Sequence, residues 1–239
     1  MYFKLILLLI FSFSVVKNSM AKECVILLHG LARTPASMLI MASYLKNDNY
    51  IVINKDYPAT RKEILTIAEI NIKDMVNECQ KYNSTKINFV THSMGGLVLR
   101  AYLQNNHLAN LGRVVMLAPP NHGSKLADTL HNNWFFKQIL GPAGQDLKTD
   151  SASLAYLNEP INYQVGIIAG NFSFNPLMKA FFQDENDGKV TVSSTKLRGM
   201  KDFMVLPVGH TFIMNNKLVL QEVSYFLQKG CFFREKKGG

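Results

Sequence analysis

The chain has 239 residues and a mass of 26.9 kDa, the size of one domain, and shows no internal repeat, low-complexity tract or linker between halves. Hydrophobic residues at 48% against 18% charged supply a large core and exclude global disorder. The formal net charge of +9 comes from scattered basic residues with one small cluster, "REKK", near the end. No base-stacking or groove-reading motif accompanies them, so no nucleic-acid partner is expected; the charge fits transient contact with anionic membranes or envelope polymers.

The first 21 residues read differently from the rest. Lys4 precedes an apolar run from Leu5 to Val16, and Ser19 and Ala21 follow as small residues. Such a run is too short for the roughly 20 residues a membrane-crossing helix needs. A secretory signal peptide over 1–21 is expected, with an uncleaved anchor as the alternative, and one domain over 22–239. The protein is therefore expected to be secreted or periplasmic.

After this leader, "CVILLHG" reads as a buried strand and "PASMLIMASYLKND" as a helix with Pro35 in its first turn. "YIVINKDYP" is a second strand. From Arg61 to Tyr82, apolar residues at Ile64, Leu65, Ala68, Ile72, Met75, Val76 and Cys79 follow the three-four spacing of one helix. "INFVTH" is a strand, "GLVLRAYLQNN" a helix and "RVVMLAPP" a strand. The stretch 121–163 is the least regular, a small lid or substrate wall, or else an ordinary crossover. "QVGIIAG" and "DFMVLPVGH" are two further strands, and "TFIMNNKLVLQEVSYFLQ" closes the chain as a helix.

Continuous apolar strands alternating with helices predict a three-layer α/β/α sandwich around a mostly parallel sheet of about six strands. Ligands in such sheets sit beyond the carboxyl ends of the strands, where His29-Gly30, His92-Ser93, Pro119-Pro120-Asn121, Gly170-Asn171 and Gly209-His210 fall. Three cysteines, Cys24, Cys79 and Cys231, follow the leader with no ligand-like spacing, so no zinc site is expected. Cys24 and Cys231 can pair if the two ends of the chain meet; free buried thiols are the alternative.

"THSMG" (Thr91 to Gly95), between an apolar strand and an apolar helix, resembles the nucleophile elbow G-x-S-x-G of the α/β-hydrolases. The first glycine of that pattern is Thr91 here, a β-branched residue where strand and helix approach closely. "LLHGLA" resembles the oxyanion loop of lipases, "APPNHGS" is similar to their "TPHRGS" segment, and "ENDGKV" and "LPVGHTFIM" follow in the family's order. The match runs from about Cys24 to Leu227.

The resemblance implies a lipase- or esterase-like serine hydrolase of carboxylic esters with Ser93 as nucleophile. Among the histidines, His92 adjoins the serine, His29 belongs to the "HG" loop, and His107 and His131 lie in polar stretches. His210 is expected as the base, downstream of an acid as the family order requires, with His122 as its rival. Asp187 in the "DGKV" turn is the expected acid, ahead of Asp184 and Asp146. The backbone N–H groups of Leu31 and Met94 would hold the oxyanion, and Leu97 and Trp134 would meet the substrate. Bacterial lipases often carry a calcium-binding acid just after the histidine; "HTFIM" has none, and no metal or cofactor is expected. Acyl transfer to an alcohol or amine, or ligand binding without catalysis, are the other readings of the same scaffold.

Overall fold

The computed structural model describes residues 22–130, 132–157, 160–173, 175–176 and 181–234. The expected leader, His131 and most of the "REKK" cluster lie outside them.

Six strands form one parallel sheet: β1 Cys24–Leu28, β2 Ile51–Ile53, β3 Ile87–His92, β4 Leu111–Leu117, β5 Val165–Gly170 and β6 Asp202–Leu206, in the order β2-β1-β3-β4-β5-β6. Every pairing is parallel, in keeping with the unbroken Val/Ile/Leu runs. Alternate residues face opposite layers. Ile26, Leu28 and Phe89 enter one core, whereas Val25, Leu27 and Val90 enter the other. The chain steps from β1 outward to β2, then crosses back to β3 and continues the other way. Connections diverge at the carboxyl ends of β1 and β3, which opens a crevice there.

On one face, α1 (Leu39–Asn47) follows a 3-10 turn at Pro35–Met38 and packs with the C-terminal helix Lys217–Lys229. On the other face lie α2 (Ile64–Ile67), α3 (Lys73–Lys81) and α4 (Met94–Asn105). A π turn at Ala68–Ile72 joins α2 to α3 where an unbroken α-helix is expected. The wider turn changes which side chains share the face: Ile67 joins the fully buried residues, and Leu65 is only partly covered.

Two further expectations are corrected. The C-terminal segment is not one helix: residues His210–Asn215 form a 3-10 turn, and the helix begins only after Asn216. The Asn216 carboxamide oxygen accepts from the N–H groups of Leu218 at 2.9 Å and Val219 at 3.3 Å, a cap that sets the helix start downstream of His210. Cys24 pairs with Cys79 rather than Cys231. A crossover helix runs back against the strands, so the end of α3 returns to the edge where β1 begins, and the two Cα atoms stand 5.9 Å apart. Cys231 is an exposed free thiol.

The irregular stretch holds three short helices, α5 Lys125–Leu130, α6 Trp134–Gln145 and α7 Ala152–Tyr156, in the crossover from β4 to β5. α6 is kinked at Gly141, whose φ of 58° brings its backbone against the Thr60 carbonyl.

Candidate active site

Ser93 sits between β3 and α4 at φ 53°, ψ −126°, a conformation that costs an L-residue about 1–3 kcal/mol. Its neighbours hold it there. The Ser93 N–H donates to the Leu117 carbonyl at 2.9 Å, and its own carbonyl accepts from Gly96 N–H at 2.9 Å. A Cβ on Gly95 would lie 2.7 Å from the Leu28 carbonyl oxygen and 2.8 Å from that of His29, so α4 can start this close to β1 only with glycine there. Thr91, in place of the pattern's first glycine, is fully buried, and a Cβ on Gly96 would stand 3.0 Å from Pro119 Cβ and 3.4 Å from the threonine hydroxyl.

His210 opens the 3-10 turn after β6 and is buried with the serine. The Ser93 hydroxyl donates to Nε2 across 3.0 Å, and the opposite ring nitrogen, Nδ1, donates to Asp187 Oδ2 at 2.7 Å. The His210 N–H also donates to the Asp187 carbonyl at 3.0 Å. Asp187 is itself fixed, because Oδ1 accepts from the N–H groups of Lys189 at 3.0 Å and Val190 at 2.8 Å. The three side chains expected from the sequence thus meet in one hydrogen-bonded row. The competitors lie elsewhere. His122 is exposed and contacts the Ser194 carbonyl. Asp184 accepts from Ser193, and Asp146 ties the Ile64 N–H to the Ser153 hydroxyl.

His92 lies beneath the row. Its Nε2 donates to the His210 carbonyl at 3.1 Å, and the two rings stand 4.9 Å apart at a tilt of 50°. Burial first, and then the neighbouring His210, hold its pKa well below the ordinary histidine value, so it is a neutral donor at pH 7. Its adjacency to the serine is plain in the sequence, but the carbonyl it reaches is 118 residues away. A Cβ on Gly30 would come within 2.9 Å of His92 Nδ1 and 3.2 Å of Ser93 Cβ, which places the "HG" loop directly against the nucleophile.

That loop is held from behind. His29 stacks on Tyr57 with ring centroids 4.0 Å apart, its Nε2 faces Asp56 Oδ1 at 3.2 Å, and the Tyr57 hydroxyl donates to the His29 carbonyl. Burial lowers the His29 pKa, opposed by the Gly30 carbonyl and Asp56. Leu31 follows, half-buried, while Met94 is fully buried at the first position of α4.

Two residues expected at the substrate are placed otherwise. Leu97 is fully buried in the core beneath α4, because its position on the helix faces the sheet. Trp134 is 71% exposed at the start of α6, outside the cavity beside His210. That cavity, of about 490 Å³, is walled by Phe172, Pro207, Val208, Phe212 and Lys189. A second groove of about 630 Å³ lies beyond the "HG" loop, between Arg33, Asp56, Thr60 and Arg61.

The family model described as "Domain of unknown function (DUF7379)" matches residues 26–145. No curated protein matches the chain in sequence. In structure the chain is similar to the Bacillus licheniformis lipase BlEst2 in mature form, with TM-score 0.69 and 22% identity over 87% of this chain and 93% of that one. The propeptide form of the same lipase gives TM-score 0.75 at 21% identity, over 92% of this chain and 53% of that one, so the chain spans about half of the longer form. The metagenomic carboxyl esterase MGS0156 gives TM-score 0.69 at 18% identity over 88% of this chain and 77% of that one. At these identities the likeness shows a shared α/β-hydrolase fold.

Proposed function

Because the chain belongs to the family described as "Domain of unknown function (DUF7379)" and shares its fold with a lipase and a carboxyl esterase, we propose that it is a serine hydrolase of carboxylic esters. The observation that carries this reading is the row Ser93 Oγ, His210 Nε2 at 3.0 Å, His210 Nδ1, Asp187 Oδ2 at 2.7 Å, set under a strained elbow.

A serine hydroxyl is a weak nucleophile until a base removes its proton. His210 takes that proton as Ser93 Oγ attacks the acyl carbonyl. Asp187 holds the Nδ1–H tautomer and stabilises the imidazolium without becoming protonated. The N–H groups of Met94 and Leu31 receive the negative oxygen of the tetrahedral intermediate, and losing one such donor typically costs roughly 3–4 kcal/mol of barrier. Collapse of the intermediate breaks the bond to the alcohol, which leaves with the proton from His210. Water, deprotonated by the same imidazole, then releases the acid and restores Ser93.

The Cys24–Cys79 disulfide supports an exported protein, since such bonds persist in oxidising compartments, and agrees with the leader expected at 1–21.

A fluorophosphonate probe and p-nitrophenyl esters of graded chain length test the reading. Wild-type protein should be labelled and hydrolyse the esters, and Ser93→Ala should abolish both. An unlabelled, inactive wild type would leave only a binding role.

A further inference from the structure

The groove of about 630 Å³ beyond the "HG" loop is lined by polar groups that the ester chemistry leaves unused. One of them is Asn71, which stands in the π turn Ala68–Ile72. The widened turn lets Ile67 and Ile72 both enter the core, and it leaves Asn71 at the groove. The Asn71 carboxamide has no hydrogen-bond partner among the described residues, and its Oδ1 is closed off from solvent. A buried polar atom without a partner destabilises a fold, and one retained beside a groove is explained by a partner from outside the chain. Single π turns within α-helices are also frequent at functional sites.

We propose that this groove is a carbohydrate-binding site, which holds a neutral sugar unit through its hydroxyls. The inference goes beyond ester hydrolysis and does not depend on it. Asp56 and Asn71 supply acceptors, and Arg33, Arg61 and the Asn71 NH₂ supply donors, while the Thr60 hydroxyl can do both. A sugar hydroxyl likewise donates and accepts, so it satisfies both kinds of group at once. A phosphate or carboxylate only accepts, and the Asp56 carboxylate on the same wall repels it. An acyl chain would leave every one of these groups unpaired. The volume falls in the range of roughly 300–1,000 Å³ usual for small-molecule sites.

The walls are fixed in advance. The Thr60 carbonyl packs against Gly141 of α6, and the Ile64 N–H at the start of α2 donates to Asp146 Oδ2 at 2.8 Å. Arg33 Nη2 donates to the Thr211 carbonyl at 3.3 Å. Asp56 Oδ1 faces His29 Nε2 at 3.2 Å, and no hydrogen bond from a described residue reaches Oδ2. Groups already held in place lose little freedom on binding. Gly30 lies against Ser93, and Arg33 in the same loop lines the groove, so a bound sugar sits against the loop that faces the nucleophile.

Isothermal titration of the protein with cellobiose, maltose and N,N′-diacetylchitobiose tests the site. At least one should bind with a Kd of about 1 mM or below. Asn71→Leu keeps the size of the side chain and removes its hydrogen-bonding groups, so it should weaken that binding about tenfold. The sugar-free melting temperature of this variant should not fall, because no hydrogen bond within the protein is lost. Arg61→Gln, at an exposed side chain, should weaken binding about fivefold with the fold untouched. Absence of binding to all three sugars overturns the proposal, and so does binding left unchanged in both variants. An Asn71→Leu protein that melts lower or fails to fold gives Asn71 a structural role, and the proposal then stands or falls with Arg61→Gln. Binding of inorganic phosphate but of no sugar marks an anion site instead. Sugar binding in a protein that the fluorophosphonate probe does not label would sink the hydrolase reading and leave this one standing.

Discussion

The ends of β3 and β6 both deliver a reactive group to the crevice, but they hold it by different physics. The elbow at Ser93 depends on close packing as well as on its two backbone hydrogen bonds: its backbone is strained, and there is no room for a Cβ on Gly95, which would meet the Leu28 and His29 carbonyls. His210 is held by polar contacts, through Asp187 Oδ2, the Asp187 carbonyl and His92. A packed position and a hydrogen-bonded position should fail in different ways. Disturbing the first costs stability and activity together, and disturbing the second costs activity with the fold retained.

The largest expected effect is at the hydrogen-bonded end. In Asp187→Asn the carboxamide oxygen can still accept from Lys189 and Val190, but its NH₂ would face His210 Nδ1. That favours the wrong imidazole tautomer, and kcat should fall on the order of 10⁴-fold with the melting temperature nearly unchanged. A loss under tenfold in ester turnover would remove Asp187 from the proposed mechanism. At the packed end, Gly95→Ala drives a methyl into two backbone carbonyls, so destabilisation of about 1–3 kcal/mol is expected together with lost turnover. Urea unfolding measures the first quantity. An unchanged midpoint would break the comparison.

The smallest effect concerns the histidines that lie between and behind these ends. His92 and His29 both have folded pKa values below the ordinary 6.5. As pH falls below about 6.5 the unfolded chain takes up a proton at each while the folded protein stays neutral, so stability is lost. The slope reaches at most about 1.4 kcal/mol per pH unit for each histidine and ends where the folded form also protonates. Urea midpoints at pH 7.5, 6.5 and 5.5 should decline, and His92→Gln should make the decline shallower. Equal slopes in the two proteins would show that His92 is not held neutral.

The contrast also explains what was readable beforehand. The strand–turn–helix around Ser93 is a local pattern, with apolar runs on either side of a serine and two glycines, so it is plain in 16 residues or so. Asp187 and His210 are 23 residues apart, and only their order and turn chemistry single them out, through a resemblance and not through periodicity. Leu97 was expected at the substrate and is instead fully buried, because the face of α4 it occupies is fixed by how that helix packs on the sheet. The pairing of Cys24 with Cys79 likewise depended on the direction in which a crossover helix returns.

Sequence alone determined the layered architecture and the six strands, because apolar periodicity acts over a few neighbouring residues, and its resemblance to the α/β-hydrolases supplied the residues that now stand in one row. Tertiary structure decided the π turn, the disulfide partner and the separate 3-10 turn that His210 opens. Each of these depends on distances between segments remote along the chain, which are set by how helices pack on the sheet and which no local pattern encodes.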